Sequence, residues 1–251
     1  MVGNYRIVKV IGEGGFGKTY LAEHTVLKKK VVIKQSLFKS EEAQKIILNE
    51  ASLLWDVNHW ALPTVKDIII NEEGDVLMVM SYIEGEELYG YIKEHGPLDI
   101  ETLCWIVQRV LSALYYLHFT GIVHRDVKPA NIIVDFKKHI ASLVDFGLSR
   151  LKPDGNHDDS GYTPYFASPE QIEGKAPIPE SDIYSLGMTM IYMAGGDIRS
   201  NRLPDNIPPA LEDFIYNMVR HDPMNRPKNC KELNNQLGEI REKLFNRKHS
   251  L

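Results

Sequence analysis

The hydrophobic pattern changes its period once along the chain, and a fold has to accommodate both halves. Between Tyr5 and Met80, short strand-like apolar runs are broken by glycines and accompanied by one helical stretch; Val31-Val32-Ile33 and Val76-Leu77-Met78-Val79-Met80 are the clearest. From Leu98 onward the spacing is helical. Leu103, Ile106, Val107, Val110, Leu111, Leu114 and Leu117 recur at threes and fours, the pattern of a helix with one buried face. The expected class is therefore α+β: a small β-rich lobe over 1–80, a connector at 81–85 (Ser81-Tyr82-Ile83-Glu84-Gly85), and a larger helical lobe over 86–251. Such a division puts a cleft between the lobes, a common place for a ligand. No internal repeat or low-complexity stretch is present.

Composition narrows the function classes. Of 251 residues, 43% are apolar and 25% charged, ordinary for a globular chain and against global disorder. A formal charge of -5 gives no bulk electrostatic reason to bind nucleic acid, and the basic stretch from Arg241 to His249 reads first as a solvated helix end. Cys104 and Cys230 lie far apart without zinc-like spacing, which argues against a disulfide framework and fits a reducing cytoplasm. No run approaches the roughly 20 apolar residues of a membrane helix, and the start lacks a secretory pattern, so neither secretion nor membrane insertion is expected.

Two motifs carry the chemistry. His124-Arg125-Asp126-Val127-Lys128-Pro129-Ala130-Asn131 is followed, after a strand-like run, by Asp145-Phe146-Gly147. Upstream, Gly12-Glu13-Gly14-Gly15-Phe16-Gly17 satisfies G-x-G-x-x-G, which alone is weak because dinucleotide-binding folds share it. A dinucleotide fingerprint should open a helix. Here two strand-like pieces follow, Tyr20-Leu21-Ala22 and Val31-Val32-Ile33-Lys34, so a glycine-rich hairpin over phosphates is the better reading. In order and spacing these motifs resemble the catalytic domain of eukaryotic-like (Hanks-type) serine/threonine protein kinases, and the resemblance covers roughly residues 5 to 240. The lack of a membrane segment and of an external sensor is similar to a compact, free-standing bacterial member.

The resemblance implies a two-lobed kinase fold with an antiparallel N-terminal sheet, and it implies ATP with Mg²⁺, or Mn²⁺ in its place. Asp126 would accept or orient the acceptor hydroxyl proton, Lys128 would reach the transferring phosphate, and Asn131 and Asp145 would ligate the metal. Lys34 would hold the α and β phosphates, with Glu50, 16 positions later, as its ion-pair partner on a helix that begins near Glu41 and Glu42. That pair is expected to contribute only about 0 to 1 kcal/mol, as near-surface pairs do. Nucleotide-binding positions would be Ile11, Gly12, Gly14, Gly15, Phe16, Gly17, Thr19, Val32, Lys34, Met80, Ser81, Tyr82, Ile83 and Glu87. Phe16 would shield the γ-phosphate, Met80 would guard the back pocket, backbone groups of Ser81 to Ile83 would meet adenine, and Glu87 the ribose. Thr19 and Val32 depart from the usual valine and alanine and would reshape the adenine roof slightly.

His124 and Phe146 would stack with Leu54, Asp182 would hold the catalytic-loop backbone, and Ser168-Pro169-Glu170 would pair with Arg226. Lys128 together with Thr163 is similar to the serine/threonine class, in which the threonine bonds the catalytic aspartate and lysine. Ala130 stands where arginine-directed kinases place a glutamate, which argues against a basic consensus. Autophosphorylation is expected at Ser160 or Thr163, Ser160 being the best acceptor by position with Tyr162, Thr163 and Ser149 behind it, and Arg125 and Arg150 as phosphate partners. Asp158 and Asp159 offer a rival, permanent negative charge. Two other functions stay open: a nucleotide-binding pseudokinase or scaffold, and a small-molecule kinase on the same plan. Protein substrates are not named by the sequence.

Overall fold

The strand and helix pattern is realised in two compact units, Met1–Ile83 and Glu84–Leu251, in a computed structural model that describes residues 2–14, 17–36, 40–151 and 161–246. The dividing point falls inside the expected connector.

In the first unit, β1 (Tyr5–Gly14), β2 (Gly17–His24), β3 (Lys30–Gln35), β4 (Val65–Ile70) and β5 (Val76–Ser81) form one antiparallel sheet in the order β1-β2-β3-β5-β4. Successive strand residues point to opposite faces, so register assigns each side chain to a side. Ala22, Val31, Ile33, Leu77 and Val79 make one apolar cluster with Tyr5. The opposite face carries Thr19 across from Lys34, Lys34 across from Met78, and Val32 across from Met80. Met78 packs there with Ile47 and Ala51 of helix α1 (Glu41–Trp55). Ser40 caps that helix by accepting from the Ala43 amide at 3.2 Å, and Glu41 and Glu42 sit in its first turn, where the helix dipole favours acids. Ile47, Glu50, Ala51 and Leu54 form its buried stripe.

The second unit begins with β6 (Glu86–Glu87), α2 (Leu88–His95), α3 (Ile100–Phe119) and β7 (Ile122–Val123). A 3-10 turn over Pro129–Asn131 leads into the hairpin β8 (Ile132–Asp135) and β9 (Ile140–Leu143), and β10 (Arg150–Leu151) pairs with β7. After the segment ending at Ser168 come α4 (Pro169–Ile172), α5 (Pro179–Met193), α6 (Pro209–Met218) and α7 (Cys230–Phe245). The three-and-four spacing read between Leu103 and Leu117 falls on α3, but 103–108 are all buried, so this helix is covered on more than the one expected face, packing on α7 among others. Helix α5 is buried nearly all round, so its Ser181, Asp182, Ser185 and Thr189 must find partners inside the unit. Gly187 lets that helix pack closely on the end of α6, since a Cβ there would lie 2.6 Å from Val219 Cγ1 and force a shift. Pro209 is the first residue of α6, a position where its missing N–H costs nothing.

Candidate active site

In the second unit the carboxylate of Asp126 is held by three donors, which leaves Oδ1 room for one more. Its Oδ1 accepts from the Thr163 hydroxyl at 2.6 Å, and its Oδ2 accepts from Lys128 Nζ at 2.8 Å and from Asn131 Nδ2 at 2.9 Å. Lys128 Nζ also donates to Thr163 Oγ1 at 2.7 Å, which closes a ring of three side chains drawn from two separate segments. Asp126 is buried, and Asn131 Nδ2 additionally donates to its backbone oxygen at 2.8 Å. Four positions singled out in the sequence thus meet at one carboxylate.

The backbone under this cluster is held from behind. Asp182, with no exposed surface, accepts from the His124 amide at 2.8 Å and the Arg125 amide at 2.7 Å. Such anchoring is needed because Arg125 adopts a φ of 72°, a left-handed conformation costly for a side chain with a Cβ. Gln171 Nε2 donates to the Arg125 carbonyl at 2.9 Å, Ser149 Oγ to the His124 carbonyl at 3.0 Å, and Thr189 Oγ1 to the Val127 carbonyl at 3.4 Å. His118 Nε2 meets Asp182 Oδ2 at 2.8 Å. Burial alone would lower the pKa of His118, but the hydrogen bond to Asp182 and the contact with Cys230 overcome it and push the group to about 10. Asp182 is therefore paired with a cation, which offsets the cost of burying a charge. His124 behaves oppositely: complete burial lowers its pKa, so it is a neutral ring, and it meets Phe146 edge-on at 4.7 Å.

Asn131 and Asp145 lie at the same end of the β8–β9 hairpin, where the Val144 amide donates to the Asn131 carbonyl at 2.9 Å. Because both Asn131 bonds to Asp126 use its NH₂ group, the side-chain carbonyl oxygen is the atom left for a ligand. Asp145 is exposed, takes a φ of 65°, and accepts weakly from the Gly147 amide at 3.4 Å. One amide oxygen and one carboxylate form a hard oxygen set, which fits Mg²⁺ or Mn²⁺ completed by water and phosphate oxygens.

In the first unit Lys34 Nζ grips both oxygens of Glu50, at 2.9 and 2.7 Å. Lys34 is 7% exposed and Glu50 2%, so the near-surface value expected from sequence does not apply: this is a buried ion pair. Thr19, Val32 and Met80 are half-buried on the same sheet face as Lys34, and Ile11 is exposed. Gly12 lies within β1 opposite Thr19, and Gly14 opposite Gly17. Gly17 has a reason besides phosphate access, since a Cβ there would stand 2.4 Å from the Gln35 carbonyl oxygen. Gly15 and Phe16 lie outside the described residues, as do Asp158, Asp159 and Ser160. The Ser81 amide is committed to the Thr64 carbonyl at 2.9 Å, and Tyr82 lies under the Lys30 ammonium at 5.2 Å, Ile83 closing the unit.

Within the second unit Glu87 caps α2 by accepting from the Gly90 amide at 3.3 Å. Gly85 bends closely over β8, where a Cβ would be 2.6 Å from the Val134 oxygen. Ser149, a candidate acceptor by position, is 2% exposed and bonded to His124, which removes it from that role. Arg226 forms a two-pronged bridge to Glu170 at 2.6 and 2.8 Å. Burial would raise the Glu170 pKa, but the bonds from Arg226 and Ser181 lower it on balance. Sequence reading missed His118, Gln171, Ser181 and Thr189. For Ser181 and Thr189 the hydroxyl residues on the otherwise apolar α5 are the one signal in the sequence; for His118 and Gln171 there is none.

In the second unit an Asp126 held by three donors, a lysine two residues on, and an amide and a carboxylate at the hairpin end, and in the first unit a buried lysine–glutamate pair, are the separate parts that the protein kinase type combines. The chain matches the protein kinase domain over residues 5–202 and belongs to that family. It is similar to the carbon catabolite-derepressing protein kinase of Saccharomyces cerevisiae, 36% identical over 225 residues that cover 87% of this chain and 34% of that protein. It is also similar to the serine/threonine-protein kinase PrkC of Bacillus subtilis, 30% identical over 258 residues that cover 92% of this chain and 39% of that protein. The chain thus spans well under half the length of either relative. Among the described residues no helix is long and apolar enough to cross a membrane.

Proposed function

We propose that this domain transfers the γ-phosphoryl group of ATP to serine and threonine hydroxyls of proteins, in a reducing cytoplasm. The observation that carries this reading is the triple grip on Asp126 by Thr163, Lys128 and Asn131. A carboxylate so fixed presents itself to an incoming hydroxyl without reorganising, which is most of what phosphoryl transfer asks of a protein. Asp126 orients the hydroxyl and receives its proton, and Lys128 meets the charge on the transferring group. Lys34, aimed by Glu50, is assigned to the α and β phosphates, and Ile11, Gly12, Gly14, Gly17, Thr19, Val32, Met80 and the 81–83 backbone to the nucleotide. Glu87, held as a helix cap, is assigned to the ribose. Asn131 and Asp145 would hold Mg²⁺ or Mn²⁺, which when bound neutralises charge on the phosphate oxygens.

Protein acceptors rather than small alcohols are supported by Thr163, whose placement beside Asp126 follows from the acceptor-side segment leading to Ser168, and by the family's serine/threonine members. The charge of -5 argues against nucleic acid as a partner. Of the two residues favoured by sequence for autophosphorylation, Thr163 is engaged by Asp126 and Lys128, so the assignment falls to Ser160.

The test is the purified chain with Mg-ATP and a general protein acceptor, read by mass spectrometry, with Asp126→Asn beside it. Phosphate on serine or threonine, lost in the variant, is the expected result. Transfer only to small alcohols or aminoglycosides, or nucleotide binding with no transfer at all, would overturn it in favour of a small-molecule kinase or a binding module.

A further inference from the structure

The hydrogen bond between Thr163 and Asp126 fixes where an acceptor hydroxyl arrives, and the surface next to it is aromatic. Three residues beyond Thr163, Phe166 meets Tyr192 edge-on with ring centroids 6.1 Å apart. Tyr192 in turn stacks on Tyr89 at 5.8 Å with only 15° between the planes. The three rings come from three elements, each tied to the loop that bears Asp126. Tyr192 lies one turn beyond Thr189, the residue bonded to the Val127 carbonyl. Tyr89 lies in the first turn of α2, which packs on the Pro129–Asn131 turn. Phe166 belongs to the same short segment as Thr163. Tyr89 is 43% exposed and Phe166 and Tyr192 are half-buried, so among the described residues the shelf is left partly open.

At the far side of Phe166, Tyr165 is 54% exposed and carries the Arg199 guanidinium 5.8 Å over its ring. The nearby carboxylate of Asp197 is turned into its own loop, accepting from the Arg199 amide at 2.9 Å and from Ser200 Oγ at 2.7 Å. The Arg199 guanidinium is thus the cation nearest the exposed Tyr165 ring, while the Asp197 carboxylate is bonded within its own loop. A peptide whose hydroxyl reaches Asp126 must run across this surface, at about 3.3 Å for each extended residue. Large rings with few rotatable bonds are efficient partners for apolar side chains, because they offer area at small entropic cost.

We propose that Tyr89, Tyr192 and Phe166 form a specificity surface selecting acceptor segments with a large apolar or aromatic side chain a few residues from the phosphorylated serine or threonine, with Arg199 disfavouring basic neighbours. This rests on the protein kinase reading above and names the substrate class of that site.

The experiment uses the full chain and peptides with one serine in a neutral background, into which Phe, Leu, Arg or Gly is placed in turn at each flanking position. With Mg-ATP, Phe or Leu at one position is expected to raise kcat/KM about tenfold over Gly, mainly through KM, a gain that corresponds to burying roughly 55 Å² of apolar surface. Tyr192→Phe should keep that preference, whereas Tyr192→Glu should abolish it and favour Arg at the same position. A profile that is flat or favours Arg in the wild type, or a Phe gain that survives in Tyr192→Glu, overturns the proposal. Fluorescence anisotropy of the same peptides without nucleotide separates it from the activity. Tighter binding of the Phe peptide with no phosphate transfer would sink the kinase reading and keep the shelf, while equal binding of the Phe and Gly peptides would sink the shelf.

Discussion

The hydroxyl of Thr163 donates to Oδ1 of Asp126 across 2.6 Å, although 37 residues separate them. Its oxygen meanwhile accepts from Lys128, so one small side chain sets the spacing between the carboxylate and the ammonium. Thr163→Ala leaves both groups in place but removes that spacer. A hydrogen bond to a charged group is worth about 1.5–3 kcal/mol, so kcat should fall by roughly ten- to a hundredfold, with the KM for ATP little changed. Thr163→Ser restores the hydroxyl and should recover most of the rate. Steady-state kinetics on the three proteins decide the matter, and a Thr163→Ala enzyme of full kcat would contradict the assigned role.

The buried pair of Lys34 and Glu50 makes a prediction about stability rather than rate. Lys34→Met removes the ammonium and leaves a carboxylate that is 2% exposed, a change that costs about 3–5 kcal/mol in comparable buried pairs. Glu50→Leu together with Lys34→Met exchanges the pair for apolar groups and should recover much of that loss while remaining inactive. Urea denaturation of the single and double variants measures both. If the single variant is as stable as the wild type, the pair is not buried as described.

His118 and Asp182 predict a dependence on alkaline pH. The folded pKa of His118 is raised from 6.5 to about 10, so its stabilising contribution is complete below about 6.5 and is lost as pH rises through about 10. The wild type should accordingly weaken across that window. His118→Gln should be less stable by about 3–5 kcal/mol at neutral pH, because Asp182 stays buried on the His124 and Arg125 amides but loses its cationic partner. Its stability should also vary less between pH 6.5 and 10. Denaturation midpoints across that range test this, and parallel pH profiles for the two proteins would rule out the pairing as the cause.

These particulars mark what can be read from sequence. The helix over Ile100–Phe119 was legible because an apolar spacing of threes and fours recurs along it, and the pairing of Lys34 with Glu50 was implied by the family resemblance. The burial of that pair was not, because it depends on Ile47 and Ala51 of α1 packing on Met78 of β5, the residue across from Lys34. His118 was invisible for a related reason. Its partner lies 64 residues away, and nothing local distinguishes a histidine on an apolar helix face from a core residue. Gly17 was read as a phosphate glycine, yet its backbone approach to the Gln35 carbonyl is set by the neighbouring strand. Helix α5 hid most, since a helix buried on every side has no polar face to betray which hydroxyls point at the catalytic loop.

Arg226 supports that loop region from a greater distance and offers the sharpest test of geometry against charge. Its guanidinium spans Glu170 with both nitrogens, and it also donates to the carbonyls of Glu180, Arg220 and His221 at 3.0, 2.7 and 2.8 Å while resting 4.9 Å from the Tyr184 ring. Lysine keeps the charge but lacks the planar fork, so Arg226→Lys cannot satisfy these acceptors together and should destabilise by about 3 kcal/mol, approaching the effect of Arg226→Ala. Glu170 supplies the acid side of the argument. Its folded pKa lies below the usual carboxylate value, so the stability it contributes is present above that usual value and drains away as pH falls through the folded one. Glu170→Gln should therefore be weaker than the wild type at neutral pH and flatter below about pH 5. Equal stability of Arg226→Lys and wild type would mean that charge alone holds this contact, and the five directed hydrogen bonds would then be incidental to it.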